Sequence, residues 1–314
     1  MRVSTDYFVN TMIGQTNALS AQLDNLENEV TTGLSVQAPS DNPDAMVTTL
    51  NDLATQSADQ QYSSNITTLQ SQANSIYSVL QSLQSIVSQA QSIATEAGSG
   101  TANQTTLNDY ASQVSSLIQQ ALKLVNTQNP ETGQYLFGGT DTSNQPFTAA
   151  TNADGNVTGV TYSGNDSTTQ AEIAQGVTIS VGVPGANTSG SGTQGLITNT
   201  STGADLFNHL ISLQNDLLAG NTSAISSTDA SNLQNDENNM TYQVAYNGNV
   251  QTQLSTASSF ASNQNTTLNQ GISNASGADA VQVMTQLNQV QDAYEAALEV
   301  TSRVMEVSLV DFLV

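Results

Sequence analysis

A mainly α-helical fold, a long antiparallel bundle rod with coiled-coil helices at its two termini and a small β-rich insert, is what this 314-residue sequence predicts. Three features predict it. Both ends carry apolar residues at alternating steps of three and four, and long interior stretches keep the same period until Gly or Pro breaks it. One stretch, residues 134–203, changes to short β-prone segments divided by turn residues.

The first helix is read from Val9, Met12, Thr16, Leu19, Leu23, Leu26 and Val30, a heptad seam. The last is read from Val283, Leu287, Val290, Tyr294, Ala297, Thr301, Val304 and Ser308, so helices from opposite ends of the chain are expected to pair. Beyond its seam the last helix has Met284, Leu298 and Met305 on one flank and Val300 and Val307 on the other. One partner helix covers only a narrow stripe, so this wide one reads either as a helix buried in a monomeric bundle or, more sharply, as one packed among several copies of itself. Asp292, Glu295, Glu299 and Glu306 leave only the outermost strip polar. Burial along so narrow a seam does little to offset the entropy of ordering whole helices, so the two ends are expected to be marginal alone and to gain order on assembly.

Between the ends, Asn42-Pro43-Asp44 is a helix start: Asn42 caps, Pro43 has the φ of a first helical residue, and Asp44 faces the positive end of the dipole. Leu69, Ala73, Ile76, Leu80, Leu83, Val87, Ala90 and Ala94 carry that helix to about Ala97, where Gly98-Ser99-Gly100 breaks it. At ~1.5 Å per residue the helix is a rod of about 80 Å. Leu107, Tyr110, Val114, Leu117, Ala121 and Leu124 mark the next, closed by Asn129-Pro130-Glu131-Thr132-Gly133. Leu206, Leu210, Leu213 and Leu217 give a short helix, and Leu233, Met240, Val244, Leu254, Ala261 and Leu268 a long one from about Thr228 to Ile272. Gly277 separates that helix from the last. In the insert, Val157, Val160, Tyr162, Val177, Ile179, Val181 and Val183 lie in β-prone segments, with turns at Asp154-Gly155, Ser163-Gly164 and Pro184-Gly185. The expected domains are therefore 1–42 with 278–314, 43–133 with 204–277, and 134–203.

Three Lys and Arg against 26 Asp and Glu give a formal charge of −23. With only Arg2, Lys123 and Arg303 as cations, nucleic acid and anionic membrane surfaces are excluded as expected partners. No apolar run reaches the ~18 residues of a membrane span. Met1 to Asp6 lacks the apolar core of a secretory signal, so any export is expected to use another route. Cys is absent, which removes disulfides and thiolate chemistry, and no cofactor or metal is expected.

His209 is the sole histidine and sits among Leu206, Phe207, Leu210 and Ile211, where packing is a better reading than catalysis. Glu27, Glu29 and the Asp292 to Glu306 strip read as solvated coiled-coil faces rather than acid–base pairs or cation sites. Asn152-Ala153-Asp154-Gly155-Asn156 lacks the terminal bidentate Glu of a calcium loop and reads as a hairpin turn. Gly138-Gly139 has neither the spacing nor the Lys of a phosphate loop. A polysaccharide-active enzyme needs paired carboxylates in a cleft with an aromatic platform, and the sequence, without Trp, displays neither.

Several motifs are similar to those of the flagellin superfamily, and the resemblance extends over essentially the whole chain. They are Thr32-Gly33-Leu34 with Pro39-Ser40-Asp41-Asn42-Pro43 after the first helix; Gly133-Gln134-Tyr135-Leu136-Phe137-Gly138-Gly139-Thr140 with Gln145-Pro146-Phe147; and, at the end, Tyr294-Glu295-Ala296-Ala297-Leu298, Ser302-Arg303-Val304 and Ser308-Leu309-Val310-Asp311-Phe312-Leu313. The second and third groups most resemble the superfamily's hook–filament junction branch. Asn42 departs from an Asp common in the family, and basic residues are unusually scarce.

The resemblance implies a structural, non-enzymatic axial protein of the bacterial flagellum, exported by the flagellar type III pathway and installed between hook and filament. Filament flagellin is the alternative, and a secreted helical adhesin a more distant one. Implied partners are copies of itself, hook-associated protein 1 on the hook side, flagellin on the filament side, and a cytoplasmic export chaperone at the C-terminal helix. The expected assembly seam comprises Val9, Met12, Leu19, Leu23, Leu26 and Val30 at one end. At the other it comprises Val283, Leu287, Val290, Tyr294, Ala297, Leu298, Val304, Met305, Leu309 and Phe312.

Overall fold

Helix α1 runs from Arg2 to Thr32 and stops at Gly33, whose φ of 70° lets its N–H turn back to the Glu29 carbonyl at 2.8 Å. These coordinates are a computed structural model that describes residues 2–313, with side chains described over residues 7–303. Helix α2 (Pro43–Gly98) starts as expected: Asn42 Oδ1 accepts from the Ala45 N–H at 3.1 Å. Ahead of it, Asp41 Oδ2 accepts from the backbone N–H groups of Ala38 and Gln37 at 2.8 and 3.1 Å, which hold its carboxyl below the ordinary value. Then follow α3 (Gln104–Val125), seven short strands, α4 (Leu206–Ala219), a short α5 (Thr222–Ala224), a π-helical turn over Ile225–Asp229, α6 (Ala230–Ser276) and α7 (Ala280–Leu313).

The chain divides into two compact units, residues 1–59 with 263–314 and residues 60–262, so the boundaries fall within α2 and α6. In the first unit α1 packs against α7. Leu34 and Gly277 form an antiparallel bridge that puts the end of α1 beside the start of α7, so the two helices run antiparallel. Ser35 N–H to the Ser276 carbonyl (2.8 Å) and Ala278 N–H to the Gly33 carbonyl (2.9 Å) close this junction. Asp279 caps α7, its Oδ1 accepting from Val281 and Gln282 at 3.0 and 3.2 Å.

The second unit holds the main core. All eight heptad positions of α2 from Leu69 to Ala94 are buried, as are Leu206, Leu210, Leu213 and Leu217 of α4 and Leu233, Met240 and Leu254 of α6. Regular apolar spacing alone was enough to identify these faces.

The insert forms three small sheets. Strands β1 (Phe147–Thr151) and β2 (Val157–Tyr162) make an antiparallel hairpin whose turn is organised by Asn152, with Oδ1 accepting from Asp154 and Asn156 at 3.0 and 2.9 Å. Strands β3 (Ala171–Ala174) and β4 (Val177–Ile179) make a second hairpin. The third sheet pairs β5 (Ala186–Asn187) parallel to β6 (Thr198–Asn199), and β6 antiparallel to β7 (Ala204–Asp205), which lies just past residue 203. The expectation of strand at Val181 and Val183 is corrected: both are buried in irregular chain that leads into Pro184-Gly185. Their β-branched side chains serve the core without a ladder.

Gly138 and Gly139 are required by close approaches. A Cβ on Gly138 would lie 2.1 Å from the Asp141 carbonyl oxygen, and one on Gly139, at φ 74°, 2.2 Å from that of Asn165. Asn165 Oδ1 in turn accepts from the Thr140 N–H at 3.0 Å. The motif that opens the insert is thus a folded turn.

Candidate assembly surface

Burial on α7 follows the seam without exception over the described side chains. Val283 is buried, Leu287, Val290, Tyr294, Ala297 and Thr301 are half-buried, and every other position from 281 to 303 is exposed. Helix α1 answers with half-buried Val9, Met12, Leu19 and Leu23 and buried Leu26. Val30 departs from the pattern at 40% exposed, while Glu29 is partly covered in its place. A straight α-helix drifts by ~20° per heptad relative to a 3.5-residue repeat, which moves the contact line off the seam. The structure thus brings the two seams together along one line. Leu298 stands outside that line at 45% exposed. Val304, Met305, Leu309 and Phe312 lie outside the residues whose side chains are described.

What remains uncovered is large. In the first unit only Leu26, Val36 and Val283 count as buried hydrophobic side chains among the described residues. The same unit exposes Tyr7, Phe8 and Ile13 on α1 and Met284, Leu298 and Val300 on α7. It also exposes Val47, Leu50 and Leu53 at the start of α2, a stripe at helical spacing that the sequence reading left out. Its signal was available in the i, i+3, i+6 spacing. Contiguous exposed apolar surface is the kind through which proteins bind one another. Asp292, Glu295 and Glu299 are exposed beside it, and Arg303 pairs with Glu299 one turn away.

His209 has a definite partner. Its Nδ1 lies 2.8 Å from Oδ2 of fully buried Asp236, whose Oδ1 accepts from the Asp205 N–H at 2.9 Å. Burial opposes charging of the ring, but the Asp236 bond and the neighbouring Asp205 and Asp229 carboxylates outweigh it and hold the imidazole above its ordinary value. Burial raises Asp236 as well, so the pair as a whole binds a proton more tightly than in the unfolded chain. The Ser212 hydroxyl donates to Asp229 Oδ1 at 2.9 Å. Burial and nearby Asp216 push Asp229 up to about 6 against that bond. These groups form a polar ladder between α4 and the start of α6.

A cavity of about 600 Å³ beside β2 and the start of α4 is lined by Phe147, Tyr162 and Phe207 and by Asp166 and Asp205. Phe147 and Phe207 are buried, and the Phe147 ring packs on Tyr162 at 5.0 Å and on Phe207 at 5.9 Å between centroids rather than forming an open platform. Asp205 is engaged by Asn208 Nδ2 at 2.7 Å. The aromatics come from three separate elements, which is why sequence reading missed the cleft. Among the described residues, no cluster of three or more potential metal ligands occurs, and no helix is long and apolar enough to cross a membrane.

Fold and surface together define a class of protein: a helical protein whose first and last described helices pair antiparallel and leave apolar side chains exposed. Residues 3–142 match the bacterial flagellin N-terminal helical region. A comparison with curated proteins gives no sequence match. Among solved structures, the fold is shared with a Vibrio parahaemolyticus protein described as a flagellar hook-associated protein, at 19% identity and TM-score 0.63, covering 76% of this chain and 100% of that one. Bacillus cereus FlgL matches at 18% identity and TM-score 0.53, covering 70% of this chain and 96% of the other. Xanthomonas campestris FlgL matches at 15% and 0.54, covering 69% and 98%.

Proposed function

We propose that this chain is a structural subunit of the bacterial flagellum, installed at the junction between hook and filament by coiled-coil assembly of α1 and α7 with sister copies. One observation carries the reading: the first unit buries three hydrophobic side chains among those described, yet leaves apolar stripes open on α1, α2 and α7. Such a unit gains most of its stability from neighbours, and head-to-tail contacts between identical chains that do not close continue into a helical lattice. Likeness to a protein described as flagellar hook-associated supports the junction site.

In this reading residues 1–42 with 278–314 form the assembly domain, residues 43–133 with 204–277 the helical rod, and residues 134–203 project outward. The seam residues Val9 to Leu26 and Val283 to Ala297 line the pairing of α1 with α7. Exposed Leu298 and the α2 stripe meet adjacent copies. Hook-associated protein 1 and flagellin occupy the two sides, and an export chaperone covers the apolar face of α7 before passage through the type III pathway. No reaction is assigned to the chain.

Filament flagellin is the second reading, favoured by the flagellin region itself. Deleting the gene and imaging the cells separates the two. The junction role expects hooks without filaments and flagellin shed into the medium. Loss of filaments with no shed flagellin would favour the filament role, and normal filaments would overturn both.

A further inference from the structure

A second cavity, of about 300 Å³, opens on α6 and is lined by Gly192, Thr193, Gln194, Tyr242, Gln243 and Tyr246. From its geometry we infer a binding site for one neutral pyranose ring of a saccharide. Tyr242 is 47% exposed, and its ring lies nearly parallel to that of Tyr246, at 14° and 6.4 Å between centroids. An exposed aromatic face offers the C–H face of a sugar an apolar partner, while amide and hydroxyl groups at its edge bind vicinal hydroxyls. Those edge groups are Thr193 and Gln194. Gln194 Oε1 is buried and without a hydrogen-bond partner among the described residues, so a rotation of its amide toward the cavity would let it accept from a ligand hydroxyl.

The opposite wall is built to stay in place. Loop residues 188–195 are held by three buried amides. Asn187 Nδ2 donates to the carbonyls of Ser191 and Thr193, both at 2.7 Å. Asn239 Nδ2 donates to those of Gly195 and Leu196 at 3.0 and 2.8 Å, and Gln243 Nε2 to that of Gln194 at 3.0 Å. So much buried polar bonding spent on a loop of Gly, Ser and Thr preorganises a surface. The ligand class follows from charge: the chain carries 26 acidic residues, yet none lines this cavity. The larger cleft differs, since its walls carry Asp166 and Asp205 and two of its rings are buried. A volume near 300 Å³ is at the small end for ligand sites, which fits one ring rather than a chain.

The test is ¹H–¹⁵N NMR of the full-length monomer titrated with D-glucose, D-galactose and N-acetyl-D-glucosamine, with glycerol as an acyclic polyol control. At least one pyranose is expected to give saturable shifts at the amides of Gly192, Thr193, Gln194, Tyr242 and Tyr246, with half-saturation on the order of 1–10 mM. Tyr242→Ala should weaken that binding about tenfold and Tyr242→Phe, which keeps the ring, less than about threefold. Gln194→Ala, with both tyrosines intact, should also weaken it. Linear shifts with all three sugars, equal shifts with glycerol, or unchanged affinity in Tyr242→Ala and Gln194→Ala would overturn the site.

Discussion

Leu287 and Leu298 lie eleven residues apart on one helix and face different environments. Leu287 is half-buried against α1 and Leu298 is 45% exposed. Leu298→Asp should therefore leave the melting of the monomer nearly unchanged and abolish polymerisation in sedimentation assays. Leu287→Asp should loosen α1 from α7 as well, visible as faster amide exchange in both helices. Equal loss of monomer stability in the two variants would contradict this assignment. Titration at the α4–α6 ladder gives a second residue-scale expectation. His209, Asp229 and Asp236 all have raised values in the folded chain, so the folded state binds more protons than the unfolded one and stability falls as pH rises through those values. Local stability at α4, followed by amide exchange in urea, should be greater at pH 5 than at pH 8. Asp229→Asn removes the buried charge, and should stabilise by on the order of 1–3 kcal/mol at pH 8 and much less at pH 5. A maximum at pH 8 in the native chain would refute the sign.

Helix starts and junctions matter at the scale of elements. Asn42 is the cap of α2 and its bond to Ala45 N–H satisfies one of the first-turn donors. Asn42→Ala should cost about 1 kcal/mol and speed amide exchange at Ala45 and Met46 by about fivefold. Asn126 has a different task. Its side chain exchanges two hydrogen bonds with the Phe147 backbone, Nδ2 to O at 2.9 Å and N–H to Oδ1 at 3.0 Å, in the manner of a paired strand residue. It joins the end of α3 to the hairpin that carries Phe147 into the core. No local rule marks Asn126 for this, since a helix-ending Asn is ordinarily read as a turn residue.

For the whole molecule, charge and apolar surface act in opposite directions. In the proposed assembly, a formal charge of −23 on each copy would repel its neighbours, while the exposed stripes of the first unit would attract them. Screening removes the first effect and barely alters the second. Polymerisation followed by sedimentation should thus require a higher protein concentration at 10 mM than at 150 mM NaCl. A threshold independent of salt would show that the acidic faces lie away from the contacts.

The helices, the turn at Asn152 and the apolar lines of α1, α2, α4 and α7 were readable from residue order alone. Spacing of three and four is local, and an α-helix converts it directly into a face. Other features depended on the path of the chain. Val181 and Val183 have strand-forming side chains but lie in irregular backbone, because nothing in their own segment specifies a pairing partner. His209 finds Asp236, and Tyr242 and Tyr246 find the loop at Gln194, only once distant segments pack together. A heptad seam does not say how far a partner reaches onto its flanks, and it is the position of α1 that covers seam residue Leu287 and leaves flank residue Leu298 open. Periodic burial is a property of neighbours in sequence, whereas polar pairing and cavity shape are properties of neighbours in space.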